Sequence, residues 1–179
     1  MKKLLLVSLA VCAMTSTGCL SRGIKEGIGA VRGGKGSYSE LVSPTRDLRS
    51  FDSIAVGTFT SDYAQIPAGM TSLIRPRLET ELTSKGQPVG ASGSKTLEIR
   101  GRIMYYETAS LMGQAFGPLE EAVAIVELVD RSSGQMIGKA ACVGRTTSST
   151  SMGAGTKAEG LSRAIAEWID KYRPMPKPE

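Results

Sequence analysis

The stretch from Thr96 to Arg145 constrains the fold most tightly, because it carries three consecutive strand signals. From Thr96 to Glu107 the chain alternates, with Leu97, Ile99, Ile103 and Tyr105 on one side and Glu98, Arg100 and Arg102 on the other, the pattern of a half-exposed strand. Ala122 to Asp130 is apolar on both sides, which predicts a central strand, and Asp130-Arg131-Ser132-Ser133-Gly134-Gln135 is turn chemistry leading into Met136 to Arg145. On that last strand Gly138, Ala140, Cys142 and Gly144 share a face, and side chains so small let a helix approach closely.

Helical signals flank the strands. Ile74, Leu78 and Leu82 recur every fourth residue within a helix expected over about Ala68 to Lys85, with Gly86 as its stop. Pro76 argues for a kink near Leu73 or a start near Arg75. Leu161, Ala164, Ile165, Trp168, Ile169 and Tyr172 mark a second helix ended by Pro174, with Thr156 and Glu159 spaced as a capping box and Trp168 as a core anchor. Ser53 to Phe59 reads as a further central strand, and a weak strand is expected near Val89. The expected architecture is α+β: one mixed or antiparallel sheet of four to five strands with two helices on one face, in the order β-α-(β)-β-β-β-α.

The amino terminus sets the compartment. Lys2 and Lys3 precede an apolar run from Leu4 to Met14, and Thr15, Ser16, Thr17 and Gly18 lead to Cys19, a secretory signal in three parts. The apolar run is about half the ~20 residues a membrane span needs. Gly18-Cys19 resembles the lipobox of bacterial lipoproteins, whose cysteine takes a diacylglyceryl group and fatty acids such as palmitate. Ser16 stands where that family carries Leu, Val or Ile. Cleavage by the general signal peptidase, leaving Cys19 an ordinary thiol, is the competing reading. The expected organisation is a signal peptide over 1–18, a lipid anchor with a flexible basic Gly-rich tether over 19–50, an α+β domain over 51–173 and a Pro-rich tail over 174–179. Leu20 after the anchor is compatible with sorting to the outer membrane.

Composition narrows the chemistry. The chain has no histidine, which removes Ser-His and Cys-His nucleophile pairs and His-containing zinc sites. Its formal +5 charge belongs to the leader and the tether, where residues 19–50 hold six basic against three acidic side chains. The domain itself is neutral and poor in aromatics, so a nucleic-acid surface has no support. Gly29, Gly34 and Lys35 imitate a phosphate-binding loop, but Gly36 replaces the metal-binding hydroxyl. Ser92 and Lys95 have the S-x-x-K spacing without a K-T-G element, and adjacent Glu120 and Glu121 would point to opposite sides of a strand; both read as surface. Cys142 lacks an identifiable activating neighbour. No catalytic residue, metal ligand or cofactor is expected.

Several phrases carry a family resemblance: Ile54-Ala55-Val56, Leu82-Thr83-Ser84-Lys85-Gly86, Leu97-Glu98-Ile99-Arg100-Gly101, Val126-Glu127-Leu128-Val129-Asp130 with Ser133-Gly134, and Ala164-Ile165-Ala166. Together with the lipobox they resemble the small envelope lipoproteins grouped as domain of unknown function 4410, and more distantly the TolB amino-terminal domain and the periplasmic part of curli-secretion lipoproteins. The resemblance implies this fold and an envelope setting, and supplies no catalytic residues. The expected function is a lipid-anchored periplasmic binding or assembly module, with an envelope hydrolase as the alternative. Its expected partners are the membrane, through Cys19, and an envelope protein. Leu111, Met112, Phe116 and Leu119, apolar among glycines in the connection 108–121, are the candidate partner contact.

Overall fold

A computed structural model describes residues 34–64, 66–67, 69–90, 93–107, 120–146 and 153–176. Its elements are β1 (Lys35–Val42), a 3-10 turn (Leu48–Ser50), β2 (Ser53–Ser61), α1 (Met70–Ser84), β3 (Thr96–Tyr106), β4 (Glu121–Asp130), β5 (Met136–Arg145) and α2 (Ala154–Tyr172). The five strands form one mixed sheet in the order β1-β5-β4-β3-β2, parallel only between β2 and β3, and both helices pack on one face. This is the expected α+β architecture with one strand more at its start.

That strand corrects the expectation of a tether through residue 50. Its alternation is hidden in a Gly/Ser-rich composition: Gly36, Tyr38 and Glu40 face the helices while Lys35, Ser37 and Ser39 face outward. What seats β1 is the absence of side chains under α2. A Cβ on Gly36 would stand 2.2 Å from the Gly160 carbonyl oxygen, one on Gly144 2.3 Å from that of Lys157, and one on Gly160 2.5 Å from that of Lys35. Those distances are far inside van der Waals contact, so α2 lies on β1 and β5 nearly backbone to backbone. The expected small-residue face of β5 therefore works as anticipated at Gly144, whereas a Cβ on Gly138 would meet Pro44 at an ordinary contact distance of 3.4 Å.

Four other expectations change. β2 is an edge strand, buried early because α1 covers one face and the chain around Val89 covers its rim: Ile54 donates to the Pro88 carbonyl at 2.8 Å and accepts from the Gly90 amide at 2.9 Å. The weak strand near Val89 is only this single bridge. In β3 an irregularity between Ile103 and Tyr105 shifts the phase, burying Tyr106 and exposing Tyr105. Helix α1 begins at Met70 and runs through Pro76, because Pro76 and Ser72 sit on the exposed side, where water can satisfy the carbonyl that proline leaves without its amide partner.

The core between sheet and helices holds Leu97, Ile99, Val126 and Leu128 against Ile74, Leu78, Leu161, Ile165 and Trp168, the last fully buried as anticipated. Ser162 locks the helices together by donating to Ala158 and Ile74 carbonyls at 2.8 and 3.4 Å. At the far end Glu40 joins β1 to the last turn of α2, accepting from Lys171 at 2.6 Å and Tyr172 at 2.7 Å.

Two predictions follow from this packing. Gly144→Ala will lower stability by about 1–3 kcal/mol through overpacking against the α2 backbone, while Gly138→Ala will stay within about 0.5 kcal/mol of the parent in urea denaturation. The hydrogen bonds from Lys171, then Tyr172, hold the Glu40 carboxyl down from 4.5 to about 2. A depressed carboxyl stabilises the fold above its unfolded value and loses that contribution as pH falls through the folded one. Between pH 5 and pH 2 the denaturation midpoint will therefore fall less in Glu40→Gln than in the parent.

Candidate functional site

Two regions concentrate polar chemistry, and the first is buried. Lys157, in the first turns of α2, is fully buried beside Glu120 at the start of β4, with Nζ 3.1 Å from Oε2. Its ammonium also donates to the Glu107 carbonyl at 2.6 Å and lies 3.6 Å from the centre of the Tyr106 ring. Burying an ammonium is tolerable only with such partners: a carboxylate, a carbonyl and a ring face. Glu120 meanwhile accepts from the Gly153 amide at 2.8 Å, and its backbone carbonyl accepts from Thr146.

This arrangement revises two readings. The helix starts at Ala154 with no side-chain cap of its own, so Thr156 and Glu159 form no capping box. Glu120, reaching from the sheet, puts a carboxylate at the helix amino terminus instead, where backbone amides and the helix dipole favour it. Glu120 is also no surface residue: it is 7% exposed. Glu121 points the other way and pairs with Arg145 at 2.5 Å, so the two carboxylates do not converge. The Lys157 cluster ties together the ends of β3, β4, β5 and α2, the points from which connections 108–119 and 147–152 leave.

The second region is the sheet face opposite the helices. Val123, Ile125, Ala141 and Val143 form a half-exposed apolar centre across β4 and β5. Beside it lies a hollow of about 330 Å³ lined by Thr58, Thr60, Arg100, Arg102, Ile125 and Glu127. Its cations are paired in place: Arg100 with Glu98 at 2.8 Å, Arg102 with Asp62 at 3.1 Å, and Lys139 with Glu127 at 2.9 Å. The result is an apolar patch rimmed by balanced charge, a surface suited to protein contact more than to a charged small ligand.

The sites expected from sequence fall differently. Cys19 and the contact residues Leu111, Met112, Phe116 and Leu119 lie outside the described residues, as does Ser92. Lys95 is exposed in the loop before β3, its amide bonded to Asp52. Cys142 is buried under α2, and burial pushes its thiol up to about 12, so it stays protonated and unreactive near neutral pH. Lys35 of the imitation phosphate loop opens a strand and not a helix. Among the described residues no cluster of acidic and cysteine side chains could hold a metal ion, and no helix is long and apolar enough to cross a membrane.

No family model matches the chain, and no curated protein does. Among solved structures, PelC shares its fold. PelC from Paraburkholderia phytofirmans, solved as a dodecamer, superposes with a TM-score of 0.50 at 14% identity, over 74% of this chain and 96% of that one. A point variant of the same dodecamer gives 0.51 at 13% identity with the same coverage. A PDZ domain protein from Parabacteroides distasonis gives 0.42 at 11% identity, over 84% of this chain and 39% of that one. At these identities the likeness to PelC is one of fold alone.

The buried pair yields a prediction. Lys157→Met leaves Glu120 buried without its ammonium and will cost about 3–5 kcal/mol in chemical denaturation. Adding Glu120→Gln removes the stranded charge and will recover more than half of that loss, which a double-mutant cycle reads directly.

Proposed function

We propose that the chain is a lipid-anchored, non-catalytic binding or assembly module of the bacterial cell envelope, held at the outer membrane by an acylated Cys19 and acting in the periplasm through protein contacts. The observation that carries this reading is the sequence Lys2-Lys3, the apolar run Leu4 to Met14, and Gly18-Cys19.

Features of the domain support it. Two groups with nucleophilic or acid-base potential are engaged within the fold: the Cys142 thiol is buried and protonated, and Glu120 is held by Lys157 and the Gly153 amide. The open sheet face offers an apolar patch of the kind proteins use for contact. PelC, which shares the fold, assembles as a dodecamer. A domain of this fold can thus serve as an assembling unit, and the proposed contacts include further copies of the chain.

The test is the intact mass of the protein extracted from native membranes, beside Cys19→Ala. A species beginning at Cys19 with added acyl mass, absent from the variant, is expected. An unmodified mature chain would remove the anchor and the membrane partner with it.

A further inference from the structure

The open sheet face carries its charges in an order set by the strand register. Where β1 begins, Lys35 lies opposite Arg145 of β5, Arg145 lies opposite Glu121 of β4, and the Glu107 amide at the end of β3 donates to the Glu121 carbonyl at 2.8 Å. Alternation puts all four side chains on the side away from the helices, so this row reads two cations, then two carboxylates. Arg145 and Glu121 hold each other, while Lys35 and Glu107 at its ends have no ion-pair partner among the described residues. The next two rows are the apolar centre, Val143 beside Val123 and Ala141 beside Ile125. Beyond them Lys139 lies beside Glu127, again with the cation on β5 and the acid on β4.

Such an order is complementary to itself. A two-fold axis between two facing copies, running along the strands between β4 and β5, lays β5 of one on β4 of the other and β1 on β3. Arg145 then faces Glu121 of the second copy, Lys139 faces its Glu127 and Lys35 its Glu107. In the centre Val143 meets Val123, and the small Ala141 meets the large Ile125. On the outer strands Arg100 faces Val42 and Arg102 faces Ser39, so no like charges oppose. A two-fold axis running across the strands would do the reverse, setting Arg145 on Lys139 and Glu121 on Glu127. Sheets packed face to face keep their strands within about 30° of each other, so the rows stay in step over this short span.

We propose that two copies of this chain associate through their open sheet faces about the axis along β4 and β5. Four strands about 4.8 Å apart and four rows about 6.8 Å apart cover ~500 Å² on each copy, ~1,000 Å² in all, the lower limit for a specific contact. The pairing is therefore concentration-dependent. It rests on the reading of the chain as a module that works through protein contacts, and not on the anchor.

Sedimentation velocity of the full protein carrying Cys19→Ala, across a concentration series, tests the pairing with no acyl chain to drive it. The parent is expected to dimerise, and Arg145→Glu or Glu121→Arg to weaken the dimer by about tenfold or more, because each sets like charges face to face. An equimolar mixture of those two variants is expected to restore it, since Glu at 145 of one copy then meets Arg at 121 of the other. Lys35→Glu and Glu107→Lys, at exposed positions, give the same crossed test should the first pair disturb the fold. A parent that stays monomeric overturns the proposal and leaves the module reading with a different protein as partner. A dimer indifferent to all four reversals, or weakened by them and not restored in either mixture, overturns the proposal by moving the contact between copies to another surface. The acyl mass at Cys19 decides the anchor separately.

Discussion

The backbone-to-backbone seat of α2 on β1 and β5 is the constraint on which the other parts of this molecule depend. Gly36 and Gly144 from the sheet and Gly160 from the helix remove the side chains that would otherwise set helix and sheet about 10 Å apart, as in ordinary face-to-face packing. Close approach brings the first turns of α2 down to the ends of β3, β4 and β5, and only there can Lys157 reach Glu120 and the Glu107 carbonyl. It also fixes the helix axis, so that Trp168 and Ile165 enter the common core while Ser162 meets α1. At the other end Glu40, on the same strand as Gly36, holds the final turn through Lys171 and Tyr172.

The resulting division of faces bears on function. One side of the sheet is consumed by the two helices; the other keeps Val123, Ile125, Ala141 and Val143 half exposed among paired charges. A domain that only needed to be stable could place polar residues at those four positions. Keeping them apolar at the centre of the open face, with ion pairs at its margin, is what a surface requires if it is to exclude water against another protein and remain soluble without it.

The sequence was most legible where periodicity alone decides burial. β3, β4 and α2 follow from alternation or helical spacing because their inward residues include large apolar side chains, as with Leu97, Ile99, Leu128, Leu161 and Trp168, while β5, whose inward face is small, follows from the turn at residues 130–135 that leads into it. β1 was hidden because its inward residues include a glycine whose value lies in what it lacks, and that value exists only once α2 is above it. The placement of β2 failed for a related reason: Ile54 and Ala55 are buried on both sides by covering loops and a helix, which mimics the two-sided burial of a central strand. Tyr105 and Tyr106 exchanged faces because a one-residue irregularity leaves no signature in hydrophobicity. Lys157 did leave one, since it falls on the stripe of Leu161, Ala164 and Trp168, and a lysine on the apolar side of a helix demands a buried counter-charge. Glu120 was misplaced at the surface because its partner lies 37 residues away in sequence.

The closeness of α2 to the sheet is open to direct observation by proton–proton nuclear Overhauser effects in the folded protein. The account predicts cross-peaks from the Hα protons of Gly160 to those of Gly144 and to the neighbouring protons of Lys35 and Gly36, contacts that exist only when backbones lie this near. If α2 and the strands are fully assigned and Gly160 shows no such cross-peaks, while ordinary side-chain contacts between helix and sheet are present, the helix rides at conventional distance and the glycine seat is not what organises the fold.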